Sequence, residues 1–194
     1  MALVSGVIHG LRIIAGALKG RRLEAPTWEG LRPTSDKLRE TLFNVLQDRT
    51  PGARVLDGFA GTGAVGIEAL SRGAYGVTFV ESDPRAARLV RRNLERCGVS
   101  DRYVIIRARL AEAARRLPAA TFDLVLLDPP YGADSLHSAL QAGAGLVAPD
   151  GLLVIEHARR DAASATADAL TKIRDIVSGD SALSIFRPRG ESAV

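Results

Sequence analysis

Residues 53–84 read ARVLDGFAGTGAVGIEALSRGAYGVTFVESDP, and their rhythm decides the fold. Arg54-Val55-Leu56 is a short apolar run with strand character, and Gly61, Gly63 and Gly66 follow it at the spacing G-x-G-x-x-G. Ala64–Ser71 then reads as a helix closed by Gly73, and Val77–Val80 as a second strand. Asp83-Pro84 supplies an N-cap with proline at the first helical position, and this helix runs to Gly98. Further apolar runs at Val104–Ile106, Leu124–Leu127 and Leu152–Ile155 continue the alternation. Continuous apolar strands between helices indicate an α/β fold, a parallel sheet covered on both faces. The tail differs: Ile173–Val177, a Ser178-Gly179-Asp180 turn and Leu183–Phe186 read as a hairpin, so the sheet should end with one antiparallel strand.

Upstream the pattern is different again. Residues 10–24 alternate loosely, with Gly16 and Gly20 as turn formers, and suggest a small β-hairpin. After Pro33, Thr34 or Ser35 can cap a helix whose apolar face is Leu38, Leu42, Val45 and Leu46, stopped by Pro51-Gly52. The expected organisation is a basic extension over residues 1–33 and a main domain over 34–194, with residues 1–10 lacking any readable pattern.

Composition bounds the function classes. With 194 residues, 46% of them apolar, the chain can bury a full core, which excludes collagen-like, low-complexity and disordered proteins. One thiol, Cys97, cannot form an internal disulfide, which points to a reducing, cytoplasmic setting. No stretch reaches the roughly 18 consecutive apolar residues of a membrane span. The apolar start has no cation before Arg12 and is interrupted by His9, so no secretory leader is expected. The net charge of +4 is weak evidence for a polyanionic partner, but the cations cluster. Arg12, Lys19, Arg21 and Arg22 stand without an acid among them, and ten arginines lie between Arg85 and Arg116 against Glu95, Asp101 and Glu112.

The glycine loop admits a nucleoside cofactor, because glycines let the backbone approach a ligand that a side chain would strike. Glu81 ends the second strand, where a carboxylate can accept hydrogen bonds from both ribose hydroxyls. In dinucleotide sites the helix N-terminus faces a pyrophosphate. Here Asp57-Gly58-Phe59-Ala60 intervenes, and the Asp57 carboxylate would repel a pyrophosphate but attract the ammonium of a methionine moiety. That favours S-adenosylmethionine over NAD.

The fourth strand delivers Asp128-Pro129-Pro130-Tyr131 at its carboxyl end, the edge at which open α/β sheets bind ligands. Two prolines fix the backbone and offer no N–H, so carbonyls there are free to accept. Asp128 with the Pro129 carbonyl could grip both hydrogens of an exocyclic amino group on a base, and Tyr131 could stack on the base. Held so, the amino nitrogen aims its lone pair at a sulfonium methyl, and positioning supplies most of the catalysis.

Asp57–Gly66 together with Asp128–Tyr131 resembles the amino-directed class I methyltransferases. The segments Arg12–Gly16, Lys19–Arg22, Leu31–Thr34 and Arg39–Asn44 resemble the bacterial 16S ribosomal RNA guanine-N2 methyltransferases of the RsmD type, over about Arg12 to Arg187. The resemblance implies a Rossmann-like, seven-stranded methyltransferase fold, S-adenosylmethionine as donor, and one 16S guanine as target within the small ribosomal subunit. Carried over residue by residue, Asp57, Phe59, Gly61 and Gly63 would line the methionine half, Glu81 would hold the ribose, and Asp128, Pro129, Pro130 and Tyr131 would hold the guanine. Where such enzymes place an Asp or Asn beside the adenine, this chain has Arg107-Ala108-Arg109-Leu110, so that contact is unassigned. The chain is expected to act as a monomer, with Arg12, Lys19, Arg21, Arg22 and Arg32 clamping RNA phosphates from beside the cleft.

Other residues have plainer explanations. His9, His137 and His157 are scattered, and no Cys or His cluster has metal-ligand spacing, so no metal is expected. Cys97 reads as a packing residue, Glu156 as solvated surface near the cleft, and Arg85–Arg96 as a solvated helix face. The open alternatives are an adenine-N6 methyltransferase on DNA or RNA, which offers the same tetrapeptide a conjugated amino group, an NAD-dependent oxidoreductase, and a non-enzymatic RNA-binding assembly factor.

Overall fold

The computed structural model describes residues 10–29, 34–161, 166–167 and 169–189. Among the described residues, eight strands form one sheet: β1 (Arg54–Asp57), β2 (Gly76–Val80), β3 (Tyr103–Ile106), β4 (Phe122–Leu127), β5 (Val147–Ala158), β6 (Thr166–Ala167), β7 (Leu170–Ser178) and β8 (Ser181–Pro188). Their order is β3-β2-β1-β4-β5-β8-β7-β6. Strands β1 to β5 are mutually parallel, and β8 runs antiparallel to both β5 and β7. Seven strands make up the body, with β6 a two-residue edge piece.

The expected C-terminal hairpin is present, but its antiparallel strand lies inside the sheet. Burial explains the order. β8 has five buried residues in a row, Ala182–Phe186, whereas Leu170 alone is buried in β7. The more apolar arm therefore pairs with β5, and the polar arm lies outside it.

Helices α1 (Asp36–Val45), α2 (Ala64–Ser71) and α3 (Pro84–Arg96) pack on one face, and α4 (Leu110–Ala114) and α5 (Ala133–Ala144) on the other. Ser35 caps α1 by accepting from the Leu38 N–H at 3.2 Å, and Asp83 caps α3 through the Arg85 N–H at 2.7 Å. The two cores alternate along the strands as a pleat requires: Leu126 and Val154 face α1–α3, while Leu127 and Ile155 face α4–α5. α2 lies close on the sheet because Gly66 has no side chain. A Cβ there would stand 2.2 Å from the Phe79 ring. Among the described residues, no helix is long and apolar enough to cross a membrane.

Residues 10–24 form a minimal hairpin with a bridge between Arg12 and Arg22 and a Leu23 N–H to Leu11 carbonyl bond of 2.7 Å. Leu11, Ile13 and Leu23 are buried in the same core as α1–α3, so this segment is part of the domain's packing. Glu68 of α2, fully buried, accepts from the N–H groups of Ile14 at 2.7 Å and Ala15 at 3.0 Å and pairs with Arg72 at 2.8 Å. Of the unreadable start at residues 1–10, all but Gly10 lies outside the described residues, as does the boundary at residue 33.

Candidate active site

The carboxyl ends of four strands bring four carboxylates to one edge. β1 ends in Asp57, β2 is followed by Glu81, β4 is followed by Asp128, and β5 carries Glu156 near its end. Asp57 Oδ2 accepts from the Gly66 N–H at 3.0 Å, so the protein's own carboxylate occupies the N-terminal turn of α2. Glu81 holds the loop open at its base, with Oε2 accepting from the Gly61 N–H and Oε1 from the Asp83 N–H, both at 2.8 Å. The Thr34 hydroxyl, just before α1, donates to Asp128 Oδ2 at 2.9 Å.

Crowding and burial hold two of these carboxyls above the ordinary range. Burial pushes the Asp57 carboxyl up to about 7, the negative charges of Asp128 and Glu81 add to the rise, and the Gly66 and Phe59 N–H groups oppose it. Burial likewise pushes Asp128 up to about 6 against the pull of the Thr34 hydroxyl. A cation placed among these groups would be stabilised, and an additional anion would not.

Two depressions meet at Phe59, which lines both. One is bounded by Thr34, Leu38, Asp57, Gly61, Asp128 and Glu156. The other runs past Glu81, Ala108, Arg109, Leu110 and Pro129. Together they offer a length of cleft with acceptors at both ends and an aromatic ring between.

Most residues singled out from the sequence converge here: Asp57, Phe59, Gly61, Glu81, Asp128, Pro129 and Pro130 all line the cleft. Tyr131 does not join them: it stands 54% exposed in a separate depression with Arg159 and Arg160. Gly63 serves differently from expectation. Its φ of +79° suits glycine, but an added Cβ would press on Val90 at 3.1 Å, and Gly63 does not line either depression. Glu156 is corrected too: it is 8% exposed and lines the cavity, so it is not solvated surface. Thr34 escaped the sequence reading as a site residue, and Ala108, Arg109 and Leu110, from the stretch left unassigned, line the second depression. Asn93, fully buried on α3, donates to the Thr62 carbonyl at 2.9 Å and accepts from the Glu24 N–H at 2.7 Å, tying the N-terminal segment to the glycine loop.

The basic residues are not gathered at one point. Arg12 stands near the cleft, its carbonyl accepting from Arg39 at 2.6 Å and its Nε 3.7 Å from Asp36 at the start of α1. Arg22 faces it across the bridge. Lys19 stands two residues past Ala17, whose N–H donates to the Ser71 carbonyl at the far end of α2, roughly 12 Å along the helix from the loop. Arg21 is close enough to Cys97, at the end of α3, for its charge to act on the thiol. Arg32 lies outside the described residues. On α3, Arg85 and Arg92 are paired with Asp83 and Glu24, and Arg85 lies over the Trp28 ring. Cys97 is buried, and burial pushes its thiol up, as suits a packing residue. Among the described residues, no His, Cys, Asp and Glu group could hold a metal.

The family model described as Conserved hypothetical protein 95 matches residues 11–187. The chain is 44% identical over 123 residues to the Ribosomal RNA small subunit methyltransferase D of Haemophilus influenzae, covering 62% of this chain and 64% of that one. It is 36% identical over 148 residues to the protein of the same name from Escherichia coli K12, covering 75% and 74%. Among solved structures, the yhhF protein of Escherichia coli superposes with a TM-score of 0.82 at 30% identity, over 94% of this chain and 99% of that one. A protein of Thermus thermophilus gives 0.75 at 33% identity, over 91% and 98%. With the family model spanning nearly the whole described chain and the class I methyltransferase sheet beneath it, this chain belongs to the Conserved hypothetical protein 95 family, the RsmD-type methyltransferases.

Proposed function

We propose that this chain transfers a methyl group from S-adenosylmethionine to the exocyclic N2 amino group of one guanine in 16S ribosomal RNA, with RNA of the small subunit as its partner. The observation that carries the reading is Asp128, at the carboxyl end of β4, in one cavity with Asp57 and the glycine loop.

The residues present fit such a cofactor better than a dinucleotide. The first turn of α2, where a pyrophosphate would bind, already receives the Asp57 carboxylate. Acceptors at Asp57 and Asp128 suit an ammonium group. Glu81 uses one hydrogen bond on each oxygen to hold the loop, and a carboxylate has about four acceptor positions, leaving capacity for a ribose diol. Ala108, Leu110 and Phe59 give the groove apolar walls suited to adenine.

Bound there, S-adenosylmethionine supplies a methyl group on a sulfonium, already a strong electrophile. The protein has to orient the nucleophile. Asp128 and the Pro129 carbonyl accept the two amino hydrogens of the base, drawing the nitrogen toward a tetrahedral geometry with its lone pair directed along the cleft. Thr34 fixes the Asp128 rotamer through its hydroxyl. The nitrogen gains the methyl group and loses one hydrogen as a proton. Asp128, with its pKa near 6, can take that proton near neutral pH and return it to solvent.

Labelled methyl transfer onto small subunits lacking the modification tests the reading, with nuclease digestion and chromatography of the nucleosides. Label in N2-methylguanosine is expected. Label in N6-methyladenosine, or none at all, would overturn it, and tight calorimetric binding of NADH in place of S-adenosylmethionine would overturn the cofactor assignment.

A further inference from the structure

Glu156 takes no part in the steps above, yet the sheet puts it beside the reacting position. β4 and β5 pair in parallel, with Leu126 opposite Val154 and Leu127 opposite Ile155. Continuing that register places Asp128 opposite Glu156, on backbones about 4.8 Å apart. Side chains alternate along a strand, so both carboxylates project to the face of Leu126 and Val154, and both line the same cavity. The Ser181 hydroxyl donates to Glu156 Oε1 at 3.1 Å and so orients the carboxylate. A carboxylate has about four acceptor positions and no donor, so it can take several partners at once.

With its N1 side turned toward β5, a purine whose amino group is held at Asp128 would bring N1 toward Glu156. The two purines differ at that atom. In guanine N1 carries a hydrogen, pointing the same way as the N2 hydrogens. In adenine N1 is a bare lone pair, which would face an acceptor-only group.

Resting on the guanine-N2 reading above, we propose that Glu156 accepts the N1–H of the target guanine and is the residue that selects guanine over adenine. Asp128 and Glu156 then form a ladder of two carboxylates matched to the N2–H and N1–H edge of one base. Asp128 touches the reacting amino group, and Glu156 reads the base without touching the transferred methyl. A site built to receive a substrate hydrogen rejects an analogue lacking it far more strongly than an apolar pocket rejects a change of size.

The test uses the full-length protein and small-subunit RNA carrying either guanine or 2-aminopurine at the methylated position. 2-Aminopurine keeps the reacting C2 amino group but presents a lone pair at N1. The wild type should transfer methyl to guanine at least about tenfold faster than to 2-aminopurine, measured as kcat/KM. In Glu156→Gln the amide can offer either its oxygen or its N–H. That variant should keep guanine transfer within about tenfold of wild type and narrow the guanine preference by at least about tenfold. Its affinity for S-adenosylmethionine should be unchanged, which also reports an intact fold. Equal transfer to both bases by the wild type, with no variant needed, overturns the proposal. So does a Glu156→Gln preference equal to wild type, and weakened S-adenosylmethionine binding with that preference intact would place Glu156 on the cofactor side. Absence of any wild-type transfer to the guanine substrate is a different result, and it defeats the guanine-N2 reading itself.

Discussion

Asp128 and Asp57 lie in one cavity but should respond to pH in separable ways. Accepting amino hydrogens requires the Asp128 carboxylate, so the single-turnover transfer rate should rise as pH passes about 6. Asp128→Ala should lower that rate by at least about 10²-fold, the scale of losing one positioned polar group, with S-adenosylmethionine affinity near wild type. A variant that loses affinity and rate in parallel would instead make Asp128 a cofactor residue. Asp57 affects stability. Its folded pKa, about 7, stands above the ordinary carboxylate value of 3.8, so the native chain binds more protons than the unfolded one between those limits. Stability from this group is therefore lost as pH rises through that window. Asp57→Asn keeps an acceptor for the Gly66 N–H and should melt higher than wild type at pH 8 but not at pH 4; equal melting differences at both values would refute the assignment. Both aspartates could be picked out in the sequence from their neighbours alone, a glycine loop and a proline pair. Glu156 could not, because its burial depends on Ser181 and Leu183, supplied by a strand that follows it by some 25 residues.

At the scale of elements, one buried carboxylate fastens the N-terminal hairpin to α2. Glu68→Ala would leave the Ile14 and Ala15 N–H groups and the Arg72 guanidinium without their acceptor. The cost should be about 3–5 kcal/mol, read from urea unfolding, and a loss below about 1 kcal/mol would mean the hairpin re-docks by other contacts. The same hairpin presents its cations unevenly. Arg12→Gln with Arg22→Gln, at the cleft end, should flatten the dependence of log RNA affinity on log salt by about 1.4–1.8, two phosphate contacts' worth. Lys19→Gln, near the far end of α2, with Arg21→Gln, near Cys97, should leave the slope nearly unaltered, and the opposite ranking would put the RNA at those residues. From sequence the hairpin, α1, α2 and α3 were all legible through caps and turn glycines. α4 and α5 were not. α4 has five residues, and α5 buries Leu136, Ala139, Leu140, Gly143 and Ala144, side chains mostly too small to mark a helical stripe. The place of β8 in the sheet was equally hidden, since either arm of a hairpin can pair with a neighbouring strand and only relative burial decides.

For the whole molecule, the separation into an extension and a domain meets a shared core. Leu11, Ile13 and Leu23 are at most 8% exposed and belong to the cluster that holds Phe43, Ile67 and Phe79. Each buried aliphatic side chain is worth about 1.5–3 kcal/mol, so removing three approaches the roughly 5–15 kcal/mol that holds an ordinary domain folded. A chain begun at residue 34 should therefore be marginal or unfolded in circular dichroism melts, and one that melts like the full protein would show the hairpin to be dispensable packing. The α/β class and the sheet edge that carries the cavity were readable because strand–loop–helix periodicity is local. The integration of the hairpin was not, because the Glu68 contacts join residues more than fifty positions apart.

The inward position of β8 also sets an order of events during synthesis. Strand β5 ends at Ala158 and its partner is not complete until Pro188, 30 residues later. At about 5–20 residues per second, the apolar edge of β5 stays unpaired for roughly 1.5–6 s after it is made. Ser181, which bonds Glu156, and Leu183, on the cavity wall, are made after the cavity's other lining residues. A nascent chain still being translated thus has the glycine loop and the tetrapeptide but an unfinished pocket, and it acquires a complete site only as its final strand slides into the sheet.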